Sequence, residues 1–207
     1  MNVALFSTAY FPPVAYMTAL LRQGTVLIEH KETFPKQTYR NRAVIMTAGG
    51  LRALTVPVVR DNHSRTDEVA VDYRTRWNVV HLRTLAAAYA ASPYYLYYQD
   101  ELEYLLLSHY DRLIDLNDAV LRWLLRRLKV DCQHKSTTDY CPSDGDPLDF
   151  RNSFSPKVPW STDGYPTYCQ VFADRLPFEP NLSIIDLLMN LGPDAHDYLE
   201  RIPLRNG

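Results

Sequence analysis

Residues 3–28 read VALFSTAYFPPVAYMTALLRQGTVLI, and this stretch decides the fold class. Val3 to Phe6 is a short apolar run that ends at the polar Ser7-Thr8, the pattern of a buried strand. Pro12-Pro13 then breaks the chain, and proline is tolerated in the first turn of a helix. Val14, Met17, Leu20 and Leu21 follow at helical spacing, and Gly24 stops the helix. Thr25 to Ile28 forms a second apolar run. A strand, a helix and a strand in that order predict a parallel pair joined by a right-handed crossover, so the fold class is α/β.

Further along, Ala43–Met46 and Leu51–Val59 flank Ala48-Gly49-Gly50 and predict a β-hairpin, which makes the sheet content mixed. Val69 and Val71 mark another short strand. The pattern turns helical from Trp77 to Ala91. Two more helices fill Gln99–Val130, with Leu113, Leu116, Val120, Leu121 and Leu124 on one buried face. Asp131–Tyr165 is rich in proline, serine and aspartate and reads as a long irregular loop, a mobile cover over a pocket. Ser183 opens a last helical section that Gly192-Pro193 interrupts. The expected organisation is a single domain over 1–207: a sheet-rich part at 1–73, a helical part at 74–130, the loop at 131–165 and C-terminal helices at 166–207.

Composition narrows the function. With 46% hydrophobic and 22% charged residues, the chain is globular rather than disordered. The 22 Lys+Arg balance 24 Asp+Glu, so no basic excess points to nucleic acid. Three cysteines, widely spaced and without a CxxC pair, indicate neither a zinc finger nor a disulfide framework. GxGxxG and GxxxxGK[ST] are absent, as are HExxH and GxSxG, so no motif names a cofactor, a metal or a seryl nucleophile. The N-terminus lacks a basic n-region, and Leu102–Leu128 carries too many charges to cross a bilayer. A cytoplasmic location is the default expectation, and nothing in the pattern sets an oligomeric state.

The chemistry-bearing stretch is residues 29–42, EHKETFPKQTYRNR, directly after the second predicted strand. The carboxyl ends of strands are where ligands bind in open α/β sheets. Lys36, Arg40 and Arg42 would share a face if the segment is extended, and would bind a phosphate or carboxylate. Gln37, Thr38 and Asn41 add hydrogen-bonding groups, and Tyr39 a stacking ring. The competing reading is a solvated loop, or an ion-pair lock in which Glu29 and Glu32 neutralise the cations. His30 beside this loop is a candidate proton carrier. His81, one helical turn after Trp77, is another, although a helical histidine near tryptophan is more often packed than reactive.

Several blocks together resemble the WbqC-like protein family. They are Tyr10-Phe11-Pro12-Pro13, His30-Lys31-Glu32, Lys36 to Arg42, Val71-Asp72-Tyr73 with Trp77 and His81, and Ser92-Pro93-Tyr94. Tyr168-Cys169-Gln170-Val171-Phe172 and Pro180 to Leu188 extend the resemblance to the C-terminal section. The resemblance implies work in surface polysaccharide assembly of the O-antigen type, on an activated sugar or its acyl modification. Many relatives carry a His-Gln-Pro block and a Gly-Tyr pair where this chain reads Ser7-Thr8-Ala9 and Ala15-Tyr16, so a role of that early histidine does not transfer. The layout is also similar to the opening of cytidylyltransferase-type nucleotide-binding domains, without their helix-one histidine.

The leading expectation is therefore a group-transfer enzyme for a nucleotide-linked sugar or similar phosphorylated metabolite. Tyr10, Lys36, Gln37, Tyr39, Arg40, Asn41, Arg42 and Trp77 would bind an anionic or phosphorylated small molecule, and His30 or His81 would move a proton. Asn181, Ser183 and Asp186 would complete the pocket, although capping of the following helix by Asn181 or Ser183, with Asp186 in an exposed turn, ranks ahead of that role. The rival is a non-catalytic binding or scaffold protein that assembles with glycan enzymes.

Overall fold

The computed structural model describes residues 3–142, 148–157 and 160–203. Strand β1 (Val3–Ser7), helix α1 (Val14–Leu21) and strand β2 (Thr25–Glu29) follow one another, and β1 and β2 pair in parallel with Ser7 opposite Glu29. The sheet then departs from the expected layout. Strand β7 (Gln133–Ser136) pairs in parallel with the far side of β2, and Asp149 bridges to Leu5 in parallel on the free side of β1. Apart from 143–147 and 158–159, which lie outside the described residues, the expected loop thus supplies both flanks of the sheet through residues 133–136 and Asp149. Aromatic packing holds it there: Phe150 stacks on Phe6 at 4.8 Å between ring centroids, and Phe154 meets Tyr16 at 5.4 Å.

Helix α1 is buried on almost every face because it lies among α5 (Ile184–Leu191), α6 (Ala195–Arg201) and the aromatic residues of the sheet. Strands β3 (Arg42–Thr47) and β4 (Gly50–Thr55) form the expected antiparallel hairpin, with Gly50 at φ 97° where a side chain would strain the turn. The second strand of that hairpin stops at Thr55, because Pro57 cannot donate to a ladder. Val58–Val59 (β5) instead pairs antiparallel with Ala70–Val71 (β6).

Helices α2 (Trp77–Tyr89), α3 (Tyr95–Leu107) and α4 (Leu113–Arg127) form the helical middle section. The buried face of α4 reads Leu113, Leu116, Val120, Leu121, Leu124 with Asn117 among them, while Arg122 and Arg126 lie on the opposite side. Buried residues from β1 through α6 join in one contiguous apolar cluster. No helix among the described residues is long and apolar enough to cross a membrane.

Candidate functional site

Parallel strands end together, so the residues following β1, β2, β7 and Asp149 gather at one edge. That edge holds a concentration of buried polar side chains: Ser7, Thr8, Glu29, His30, Arg40, Asn117 and Arg151. Burying such groups is costly unless each finds a partner.

Glu29 is fully buried and accepts from the Lys31 N–H, the Thr137 hydroxyl, the Cys141 N–H and Arg151 Nη1 at 2.8–3.2 Å. Arg151 donates onward to Asp149 at 2.6 Å, and that hydrogen bond raises the guanidinium's pKa above its already high ordinary value. Arg40, 3% exposed, grips Glu32 through two parallel hydrogen bonds of 2.7 and 2.8 Å. Asn117 donates to the Thr8 hydroxyl and to the Arg40 carbonyl.

Two buried polar atoms at this edge have no hydrogen-bond partner: His30 Nε2 and Asn117 Oδ1. His30 Nε2 lies 3.6 Å from Asp118 Oδ1, too long for a hydrogen bond. The His30 backbone is fixed from the other side, its N–H donating to the same Thr137 hydroxyl that donates to Glu29. The β1–α1 loop is held under strain: Phe11 has φ 41°, a region bulky residues avoid at a cost of about 1–3 kcal/mol. The Ser183 hydroxyl donates to the Phe11 carbonyl and holds the turn.

The expected site residues divide among several places. Residues 36–41 are bends and a turn, with Gln37 at φ 59°, so Lys36, Arg40 and Arg42 do not share the face of an extended segment. Lys36 and Gln37 are exposed. Arg40 is engaged in the ion pair with Glu32. Arg42 opens β3 with a buried Nε that lacks a hydrogen-bond partner. Asn41 ties the loop to the hairpin by donating to the Val56 carbonyl.

Tyr10, Trp77 and His81 form a buried aromatic cluster, the Tyr10 hydroxyl lying 2.9 Å from His81 Nδ1 and the His81 ring 5.2 Å from Trp77. Burial pushes the His81 pKa down to about 4, partly opposed by a hydrogen bond to the Thr55 backbone. Ser183 caps α5 through the Ile185 N–H. Asn181 serves α1 instead, accepting from the Ala15 N–H. Asp186 lies in no exposed turn: it is 1% exposed and accepts from Tyr89, Tyr168 and Gln170.

Tyr39 and Asn181 do come together. They line a cleft of about 390 Å³ between the hairpin and residues 155–157, 160–162 and 179–182. The sequence reading missed Asp118 and Arg151. Asn117 carried a usable signal, a polar side chain on the apolar stripe of α4; Arg151 had none, since its partners are distant in sequence and its own neighbourhood is loop-like.

The WbqC-like protein family matches residues 8–158 and 150–198 of this chain. A protein of Mycobacterium tuberculosis (strain ATCC 25618 / H37Rv), described as uncharacterized protein Rv1507c, is 30% identical over 96% of this chain and 97% of its own length. No solved structure matches.

Proposed function

The chain belongs to the WbqC-like protein family, and on that premise we propose that it is a group-transfer enzyme acting on a nucleotide-linked sugar or a related phosphorylated metabolite in surface polysaccharide assembly. The observation that carries the reading is His30: a buried imidazole at the carboxyl edge of a parallel sheet, with an unpartnered Nε2 facing a carboxylate. An imidazole so placed takes a proton from an attacking hydroxyl or amine, and Asp118 stabilises the charge that forms on it. Arg40 and Arg151 are engaged by their own carboxylates, so Arg42, whose buried Nε lacks a hydrogen-bond partner, is the cation this reading assigns to the phosphate. His81 is a weaker choice of proton carrier, because a group pushed down to about 4 holds a proton poorly near neutrality.

The test is turnover against a panel of nucleotide sugars, preceded by ligand-dependent melting. A ligand held at a hundredfold excess over its Kd raises stability by about 2.7 kcal/mol. His30→Gln should then lower kcat by about a hundredfold or more while the melting temperature without ligand stays close to that of the parent. Undiminished turnover in that variant overturns the role of His30.

A scaffold role is favoured by one separate feature, the outer face of α3. Leu96, Tyr97, Tyr104 and Leu107 are 53–80% exposed there, more apolar surface than a lone helix face needs. This reading prevails if no nucleotide sugar shifts the melting curve while Tyr97→Ser with Tyr104→Ser alters the sedimentation of the protein.

A further inference from the structure

The cleft that brings Tyr39 and Asn181 together is built more firmly than a surface hollow. Glu179 is clamped by its backbone: its N–H donates to Gln170 Oε1 at 3.0 Å, and its carbonyl accepts from Gln170 Nε2 at 2.9 Å. Gln170 is 4% exposed and is held in turn by the buried Asp186 at 3.1 Å. Asn181 is anchored to the first turn of α1. The carboxylate of Glu179 is left free, forming no ion pair among the described residues, and Lys157, whose Nζ donates only to the Lys36 carbonyl, lines the same cleft with none either. Tyr39 and Trp160 supply aromatic walls, and Leu182 an apolar floor. Burial raises the Tyr39 hydroxyl pKa and the Glu179 charge adds to the shift, in keeping with both residues lining the cleft.

We infer that this cleft binds a small zwitterion, its protonated amine between Glu179 and the faces of Tyr39 and Trp160 and its acidic group on Lys157. An ammonium gains from a carboxylate and from an aromatic face together, since both present negative potential. A negative and a positive side chain lining one cleft match both charges of a zwitterion, whereas a ligand that carries only half of the pattern leaves one of them unmatched. The volume, about 390 Å³, suits an amino acid or a phosphorylated amine and is small for a macromolecular segment. This site stands apart from the proton carrier at His30 and does not depend on the reaction proposed there.

Calorimetric titration of the full chain tests the assignment with two matched sets. The first is phenylalanine, N-acetylphenylalanine and phenylalanine amide; the second is phosphoethanolamine, ethanolamine and inorganic phosphate. At least one zwitterion should saturate a single site at millimolar concentration or below, with its one-charge counterparts bound about tenfold or more weakly. The responding set tells carboxylate from phosphate. Glu179→Gln and Lys157→Met should each weaken that zwitterion about tenfold, with unchanged melting temperatures, because neither side chain has a structural partner other than the Lys36 carbonyl. His30→Gln should leave the affinity untouched, which separates failure here from failure of the transfer reaction. Absence of saturable binding from both sets, equal binding of a one-charge counterpart, or indifference to both substitutions overturns the assignment.

Discussion

Arg40 shows how much a single residue's partner matters. In the sequence it is one cation among three; in the fold it is 3% exposed and paired through two hydrogen bonds with Glu32, whose side chain is itself only 12% exposed. Removing one partner of a buried pair strands the other, which costs about 3–5 kcal/mol. Arg40→Ala should therefore destabilise the free protein by about that amount in urea denaturation; a loss below about 1 kcal/mol would show the pair to be dispensable. His81 gives a second residue-level expectation. Its pKa is depressed from 6.5 to about 4 in the folded protein, so between those values the unfolded chain binds the proton that the folded chain refuses. The stability this site contributes is complete above pH 6.5 and is lost as pH falls through 4, amounting to about 3 kcal/mol at about 1.4 kcal/mol per pH unit. Subtracting the pH–stability curve of His81→Gln from that of the parent isolates the effect, and parallel curves between pH 6.5 and pH 4 would contradict it.

At the scale of elements, the α5 region combines a tight glycine turn with buried polar side chains. Gly192, at the end of α5, has φ 54°, and an added Cβ would collide with the Tyr94 ring. Gly192→Ala combines backbone strain with overpacking and should cost about 3 kcal/mol, read as a fall in the melting temperature. Within the same helix, burial raises the pKa of Asp186 from its ordinary value, although hydrogen bonds from Tyr168, Tyr89 and Gln170 oppose the shift. A carboxyl with a raised folded pKa contributes stability that is full below its unfolded value and declines as pH rises through the folded one. Tyr168→Phe deletes the 2.6 Å donor, so its cost of about 1.5–3 kcal/mol should grow between acidic and mildly alkaline pH. Equal destabilisation at both ends of that range would mean the carboxyl stays neutral throughout. These elements also mark what was legible in sequence. The periodicity of residues 14–21 and 113–128 and the Gly49-Gly50 turn reveal α1, α4 and the hairpin, because their signals are local. Strand β7 reads Gln133-His134-Lys135-Ser136, without the apolar alternation of a strand, and only pairing with β2 makes it one. His30 was visible because it follows an obvious strand, whereas Asp118 depends on how α4 crosses the sheet edge.

Across the whole molecule, the sheet is assembled from distant chain, and one buried ionic cluster joins the pieces. Glu29 closes β2, Asp149 bridges to β1, and Arg151 lies between them with its guanidinium against the Tyr140 ring at 5.4 Å. Glu29 and Asp149 both pair with this cation, and Thr137, which steadies the His30 backbone, also donates to Glu29. Arg151→Met keeps the bulk and removes the charge. The fully buried Glu29 carboxylate then loses its only side-chain cation among the described residues, a loss of several kcal/mol. The consequence is spatially selective: the β1–α1–β2 unit retains its own apolar contacts, while the chain from Thr137 to Phe154 loses its ionic fastening. Limited proteolysis should therefore cut the variant faster than the parent within 137–142 and 148–154. Because Thr137 moves with it, the variant should also lose the turnover assigned to His30 while zwitterion binding at Glu179, clamped from Gln170, weakens far less. A variant as resistant to protease as the parent would show that the aromatic contacts of Phe150 and Phe154 alone hold the segment, and that Arg151 serves the edge of the sheet in some other way.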